Sequence, residues 1–347
     1  MTRQPIRRAA HVREAGQVRA RLTGLALVVT IIAAIPLCLA TGPGGLSPRT
    51  ALAALFGSGD GGRVFLVRGL RLPRVCDALV IGAALGAAGC LIQTVARNRL
   101  ATPAILGINE GATLAVMVWV FCVPGSGLGP WWIAPIGALA AAIVLVGLSG
   151  GIGMRGFRVL MIGIALSILL RSIVDMGMSV LAVNHATAVY NWSLGSLLGA
   201  DFSRLRIAVI PVTLALAVAV ALGRRLVLLG FDLTTARALG ADVQRDQWLA
   251  LTVAALLSGL AVGIAGPVGG PVGFVALASP VAASHLVGPG RVPVLVAALI
   301  GALIVLVADT LARVIAAPNE IAAGALTSVF GGLFVLWLLY RRTGEIG

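Results

Sequence analysis

The chain has 347 residues, of which 59% are hydrophobic and 11% charged, and its mean hydropathy is +1.04. A water-soluble domain carries about a quarter charged residues, so this composition excludes one. Every one of the 26 basic residues is arginine and the formal net charge is +14. The arginines are spread over connecting segments instead of gathering on one face, which argues against nucleic acid as a partner and for a lipid bilayer.

Residues 1–21 are polar and hold six arginines; they read as a cytoplasmic tail. The apolar run 22–40 follows at once. It is longer than the apolar core of a secretory signal and lacks a clear small-x-small cleavage site, so it reads as a retained first span. Further spans are expected at about 75–96, 104–123, 131–153, 158–183, 204–223, 247–266, 272–287, 292–316 and 321–340, with a short helix near 193–199. Together these define an all-α, polytopic membrane bundle of about ten transmembrane helices. It forms one membrane domain, 22–342, ending in a short tail, 343–347.

An even number of spans places both termini on one side. Seventeen arginines fall in segments that would then be cytoplasmic, eight in external ones, and Arg171 within a span. This asymmetry fits a multi-pass protein of the cytoplasmic (inner) membrane with cytoplasmic N- and C-termini. Gly82 and Gly86, and likewise Gly259 and Gly263, lie four residues apart, a spacing that lets helix backbones approach closely in lipid. Cys38, Cys76, Cys90 and Cys122 show no metal-ligand spacing, the three histidines are scattered, and no nucleophile–base arrangement stands out. No metal site, cofactor or catalytic residue is expected.

The longest polar interruption of the second half runs from Gly223 to Gln247, and its core, 224–246, is the expected cytoplasmic loop. Asp232 suits a helix N-cap and Gly240 a helix C-terminus, with Leu233, Ala236 and Leu239 at helical spacing and Arg237 beside them. So short a helix is unstable alone; it packs either on its own bundle, as a plain connection, or on a partner. Lysine is absent from the chain, so no GxxxxGK[ST] phosphate loop exists in it. Were ATP to drive this protein, the ATPase would be another polypeptide.

The stretch Ala236-Arg237-Ala238-Leu239-Gly240 resembles the A-R-x-L-G signature in the coupling loop of the FecCD family of ABC importer permeases. Arg71-Leu72-Pro73-Arg74, residues 82–112, Asn191 to Leu197, Gly270 to Val275, Ala308-Asp309 with Ala312-Arg313, and Pro318 to Thr327 resemble further elements of that family, in the same order. The resemblance implies a type II ABC importer permease fold and a transport subunit rather than an enzyme, moving an iron–siderophore or related metal chelate; haem and cobalamin are the other cargoes of such permeases. It implies three partners: a cytoplasmic ABC ATPase subunit at Leu233, Ala236, Arg237, Leu239 and Gly240; an extracytoplasmic substrate-binding protein at Arg71, Arg74 and Arg313; and a second permease copy or paralogue. From charge alone Arg71 and Arg74 could equally be snorkelling at a helix end, and Arg313 could pair internally with Asp309 one turn away. The sequence also departs from the family pattern. Arg99 stands at a usual proline, Glu110 at a small or amide residue, and Val281 follows Pro280 where histidine is common.

Arg171 and Asp175 lie inside a span. A charge at that depth should face the bundle or a wet cavity, and i,i+4 spacing allows them to neutralise each other. They either form a closed pair or, with Asn191 and Trp192, line a translocation path in which Arg171 attracts an anionic chelate. An ion-coupled secondary transporter is the other functional class, with Asp175 as its candidate ionisable group, although no inverted repeat is evident.

Overall fold

A computed structural model describes residues 4–42, 44–123, 129–150, 156–180, 195, 197, 200, 202–231, 233–265, 273–288, 291–315 and 322–343. Thirteen helices fall within them: α1 (Gln4–Ala40), α2 (Pro48–Leu55), α3 (Gly61–Phe65), α4 (Leu72–Ala96), α5 (Ile108–Cys122), α6 (Ile133–Ser149), α7 (Gly156–Val180), α8 (Phe202–Leu226), α9 (Leu233–Ala238), α10 (Val243–Ala265), α11 (Gly273–Val287), α12 (Val294–Ile315) and α13 (Ala323–Thr343). No strand occurs among the described residues. Each of the ten apolar runs expected from the sequence is helical over most of its described residues. Six helical stretches are long and apolar enough to cross a membrane, and four more are apolar helices of 10–17 residues. The short helix expected near 193–199 falls largely outside the described residues.

Two differences concern the N-terminal quarter. Helix α1 begins at Gln4 rather than at residue 22, because its first turns are rich in the strong helix formers Arg and Ala. The segment between α1 and α4, expected as plain connection, holds two short helices. Ser47 caps α2 by accepting from the Thr50 amide at 3.1 Å, with Pro48 at the first helical position. A π-helical turn, Leu66–Arg71, joins α3 to α4, so that residues 61–96 form one continuous apolar stretch of 36 residues.

Helix α4 is the axis of the bundle. It packs against α12, α10, α11 and α8, while α5 and α6 pack on each other and on α10. Surrounded in this way, α4 is apolar on every face, with Ile81, Leu85, Leu91 and Ile92 fully buried. Helices α1 and α8 instead present rows of exposed side chains, such as Leu25, Ile32, Ile210 and Leu214, as expected where hydrocarbon is the solvent.

Between helices in lipid the hydrophobic effect supplies little attraction, so close contact must do the work. Gly82 and Gly86 of α4 lie against the backbone carbonyls of Gly301 and Ala297 of α12, and Gly301 faces Gly82 in return. A side chain at any of the three would collide with backbone, which cannot move aside. The second glycine pair acts alike: Gly259 of α10 rests on Pro135 of α6, and Gly263 on Trp131, two residues before that helix. Replacing Gly82 with leucine should therefore destabilise the fold by about 2 kcal/mol or more. Gly24→Leu on α1, where a Cβ meets nothing within 4 Å, should leave the thermal midpoint in detergent unchanged. The paired melting curves measure this difference.

Candidate functional site

The N-terminal turn of α4, the last turns of α12 and the end of α1 meet at one end of the bundle. Asp309 is fully buried there. Its Oδ1 accepts from Arg74 Nε at 2.8 Å, and its Oδ2 lies 3.2 Å from Arg313 Nε. Arg71 donates to the Leu39 and Ala40 carbonyls at 2.7 and 3.2 Å, closing the C-terminus of α1. Arg313 also reaches the Thr41 carbonyl at 3.4 Å and Thr310 Oγ1 at 3.3 Å. These bonds satisfy carbonyls that a helix end otherwise leaves open. Asp77, one turn beyond Arg74, is buried beside them.

The sequence reading gave Arg71, Arg74 and Arg313 an outward docking role. Here all three are at most 7% exposed. Arg313 makes the internal pair with Asp309 that its spacing allows, and Arg71 and Arg74 point into the protein instead of snorkelling to its edge. Arg49 on α2, Arg63 on α3 and Arg68 on the π turn are exposed at this end. Arg68 also fixes α2 by donating from Nε to the Leu55 carbonyl at 2.8 Å.

Helix α9 lies at the opposite end. The Ala241 amide donates to the Ala236 carbonyl at 3.0 Å and the Gly240 amide to the Arg237 carbonyl at 2.9 Å, while Gly240 sits at φ +83°. This is a Schellman terminus, with glycine where the backbone must turn left-handed. Leu233 opens the helix; Asp232 lies outside the described residues. Of the expected stripe, Ala236 is fully buried, but Leu239 is 57% exposed and Phe231, just before the helix, 50%. Arg237 and Gly240 are exposed too. Asp242 caps the next helix by accepting from the Arg245 amide at 3.2 Å.

Arg97 was not marked as functional by the sequence. It ends α4 at φ 49°, a left-handed conformation that costs a non-glycine residue energy. From there its Nη2 donates to the Leu229 and Phe231 carbonyls at 2.8 and 2.7 Å. The C-terminus of α4 thereby holds the segment leading into α9.

At mid-depth, Arg171 Nε lies 3.2 and 3.3 Å from the two carboxylate oxygens of Asp175 on α7, and both side chains are half-exposed. Ser258 Oγ and Asn109 Oδ1 form a buried hydrogen bond of 2.5 Å between α10 and α5. Asn191 and Trp192 lie outside the described residues. Among the described residues no group of three His, Cys, Asp or Glu side chains could hold a metal ion.

The family model of the FecCD transport family matches residues 27–341, and the chain belongs to that family. It is 34% identical to the Bacillus subtilis protein named "Probable siderophore transport system permease protein YfhA", over 92% of this chain and 93% of that one. It is 31% identical to the ferric enterobactin transport system permease protein FepG of Escherichia coli, over 91% and 97%. A solved metal-chelate type ABC transporter in an inward-facing conformation shares the fold, with a TM-score of 0.76 at 24% identity over 93% of this chain and 99% of that one. The protein is a membrane transport permease and not an enzyme.

Asp309→Ala removes a carboxylate that Arg74 and Arg313 share in the buried cluster. It should cost about 3–5 kcal/mol, read as a fall in thermal midpoint and in yield of folded protein. Replacing Arg74 in the same background should recover part of that loss.

Proposed function

We propose that the chain is the membrane permease subunit of an ATP-binding-cassette importer that carries an iron–siderophore or related metal chelate across the cytoplasmic membrane. Family membership supports the transport role, and the names of the relatives support the cargo class. The observation that carries the ATP-driven reading is α9. It is a capped two-turn helix with Phe231, Arg237 and Leu239 exposed at the end of the bundle and anchored by Ala236 beneath. A helix this short needs a surface to pack on, and its outer side offers an apolar residue and an arginine to a partner. With no lysine, the chain has no phosphate loop of its own, so the partner is a cytoplasmic ATPase subunit.

This reading puts the α9 end in the cytoplasm, together with both termini. Arg97, Arg99, Arg224, Arg225, Arg237 and Arg245 all belong to segments at that end. The opposite end then receives the substrate-binding protein. Exposed cations there, Arg49, Arg63 and Arg68 among them, would steer it, with Arg71, Arg74 and Arg313 as the buried frame below. Exposed faces on α7 and α8 suit a second permease, either a copy or a paralogue, which would enclose a passage.

Leu239→Glu tests this in proteoliposomes containing the permease, its ATPase and its binding protein. Uptake of labelled chelate and chelate-stimulated ATP hydrolysis should both fall about tenfold or more, the scale of losing one central contact residue. The thermal midpoint of the isolated permease should hold, because Leu239 is more than half exposed. Arg97→Ala should lower the same two rates through loss of its two carbonyl bonds. Uptake that persists without ATP and collapses with the proton gradient would replace this reading by a secondary transporter.

A further inference from the structure

The first turn of α5 lies against the middle of α7: a Cβ placed on Gly107 would sit 3.1 Å from the Ser167 amide. One turn further along each helix stand Glu110 and Arg171. Glu110 is 9% exposed, and among the described residues its carboxyl group has no hydrogen-bond partner. Its neighbour Asn109 is bonded to Ser258. Glu110 lies within electrostatic reach of both Arg171 and Asp175, whose side chains are 50% and 56% exposed.

A charged pair in the middle of a span is costly against lipid and belongs beside water or protein. Arg171 is already matched by Asp175 on its own helix. The buried carboxyl group behind the pair therefore adds an acidic function that the guanidinium does not offset.

We infer that Glu110, Arg171 and Asp175 form a selectivity site in the passage that admits neutral or cationic metal chelates and disfavours polyanionic ones. The inference rests on the importer reading above and gives it a substrate class. It reverses the sign suggested by Arg171 alone. An incoming ammonium or hydroxyl donor meets the Asp175 carboxylate with the Glu110 carboxyl group behind it, whereas an incoming carboxylate meets a guanidinium already in use. Iron(III) held by three singly charged hydroxamates is neutral, and a pendant amine makes the complex cationic. Iron(III) held by three doubly charged catecholates carries three negative charges and fits the site least.

One ferric trihydroxamate with a pendant amine provides the probe set: the free amine is cationic, its acetyl derivative neutral and its succinyl derivative anionic. Uptake of all three is measured in proteoliposomes with the intact permease, ATPase and binding protein, for the wild type, Glu110→Gln and Glu110→Asp. Comparing variants through the same binding protein cancels that protein's own preference. The cationic-to-anionic uptake ratio should fall roughly tenfold in Glu110→Gln, as for one charge at a few ångströms in a wet cavity. Glu110→Asp should keep most of the ratio, and uptake of the neutral probe reports that each variant is folded and working. A ratio unchanged in Glu110→Gln, while the neutral probe is still transported, overturns the inference and leaves the importer reading standing. Absence of uptake for every probe in the wild type sinks both.

Discussion

Everything in this fold depends on how near α12 can come to α4. Lipid tails are as apolar as leucine, so burying leucine between two helices gains little over leaving it outside. Contact at the level of the backbone is what remains. Gly82, Gly86 and Gly301 supply it by having no side chain at the crossing. Once α12 is seated, α10, α11 and α8 can close around α4, and this largely buried helix becomes a rod running from one end of the bundle to the other.

That rod carries arginine work at both tips. At one tip Arg74 meets Asp309 of α12 while Arg71 seals the end of α1. At the other, Arg97 reaches the carbonyls of Leu229 and Phe231 just ahead of α9. A displacement of α9 would thus be felt by α4, and through α4 by the buried ion cluster near Arg49, Arg63 and Arg68. The short helix that faces the proposed motor and the surface that faces the proposed delivery protein are connected by one continuous element.

The ten apolar helices were legible because a run of about 20 apolar residues has few other uses. Gly240 was legible for a local reason as well, since a left-handed helix end selects glycine. Helix α2 was missed although Ser47-Pro48 announces it, because the surrounding polarity drew attention to connection rather than to structure. The fate of Arg71, Arg74 and Arg313 could not be read locally. Arg74 finds its carboxylate 235 positions away in sequence, and a charge near a helix end looks the same whether it turns inward or outward. Arg97 posed the same difficulty: its backbone conformation and its distant carbonyl partners leave no pattern in the neighbouring residues. Glu110 was visible as a departure from the family pattern, but its position behind Arg171 and Asp175 emerged only from the packing of α5 on α7.

The π turn at Leu66–Arg71 has a consequence for how the outer arginines are sorted. A turn closed by i→i+5 bonds holds one residue more than an α turn, and each residue advances the helix by about 100°. The turn thus resets the angular phase between what precedes it and α4. Arg63 and Arg68 come to rest exposed, whereas Arg71 and Arg74 are buried. Chemically these four side chains are identical. Six residues of backbone, by their length alone, decide which become scaffold and which become surface.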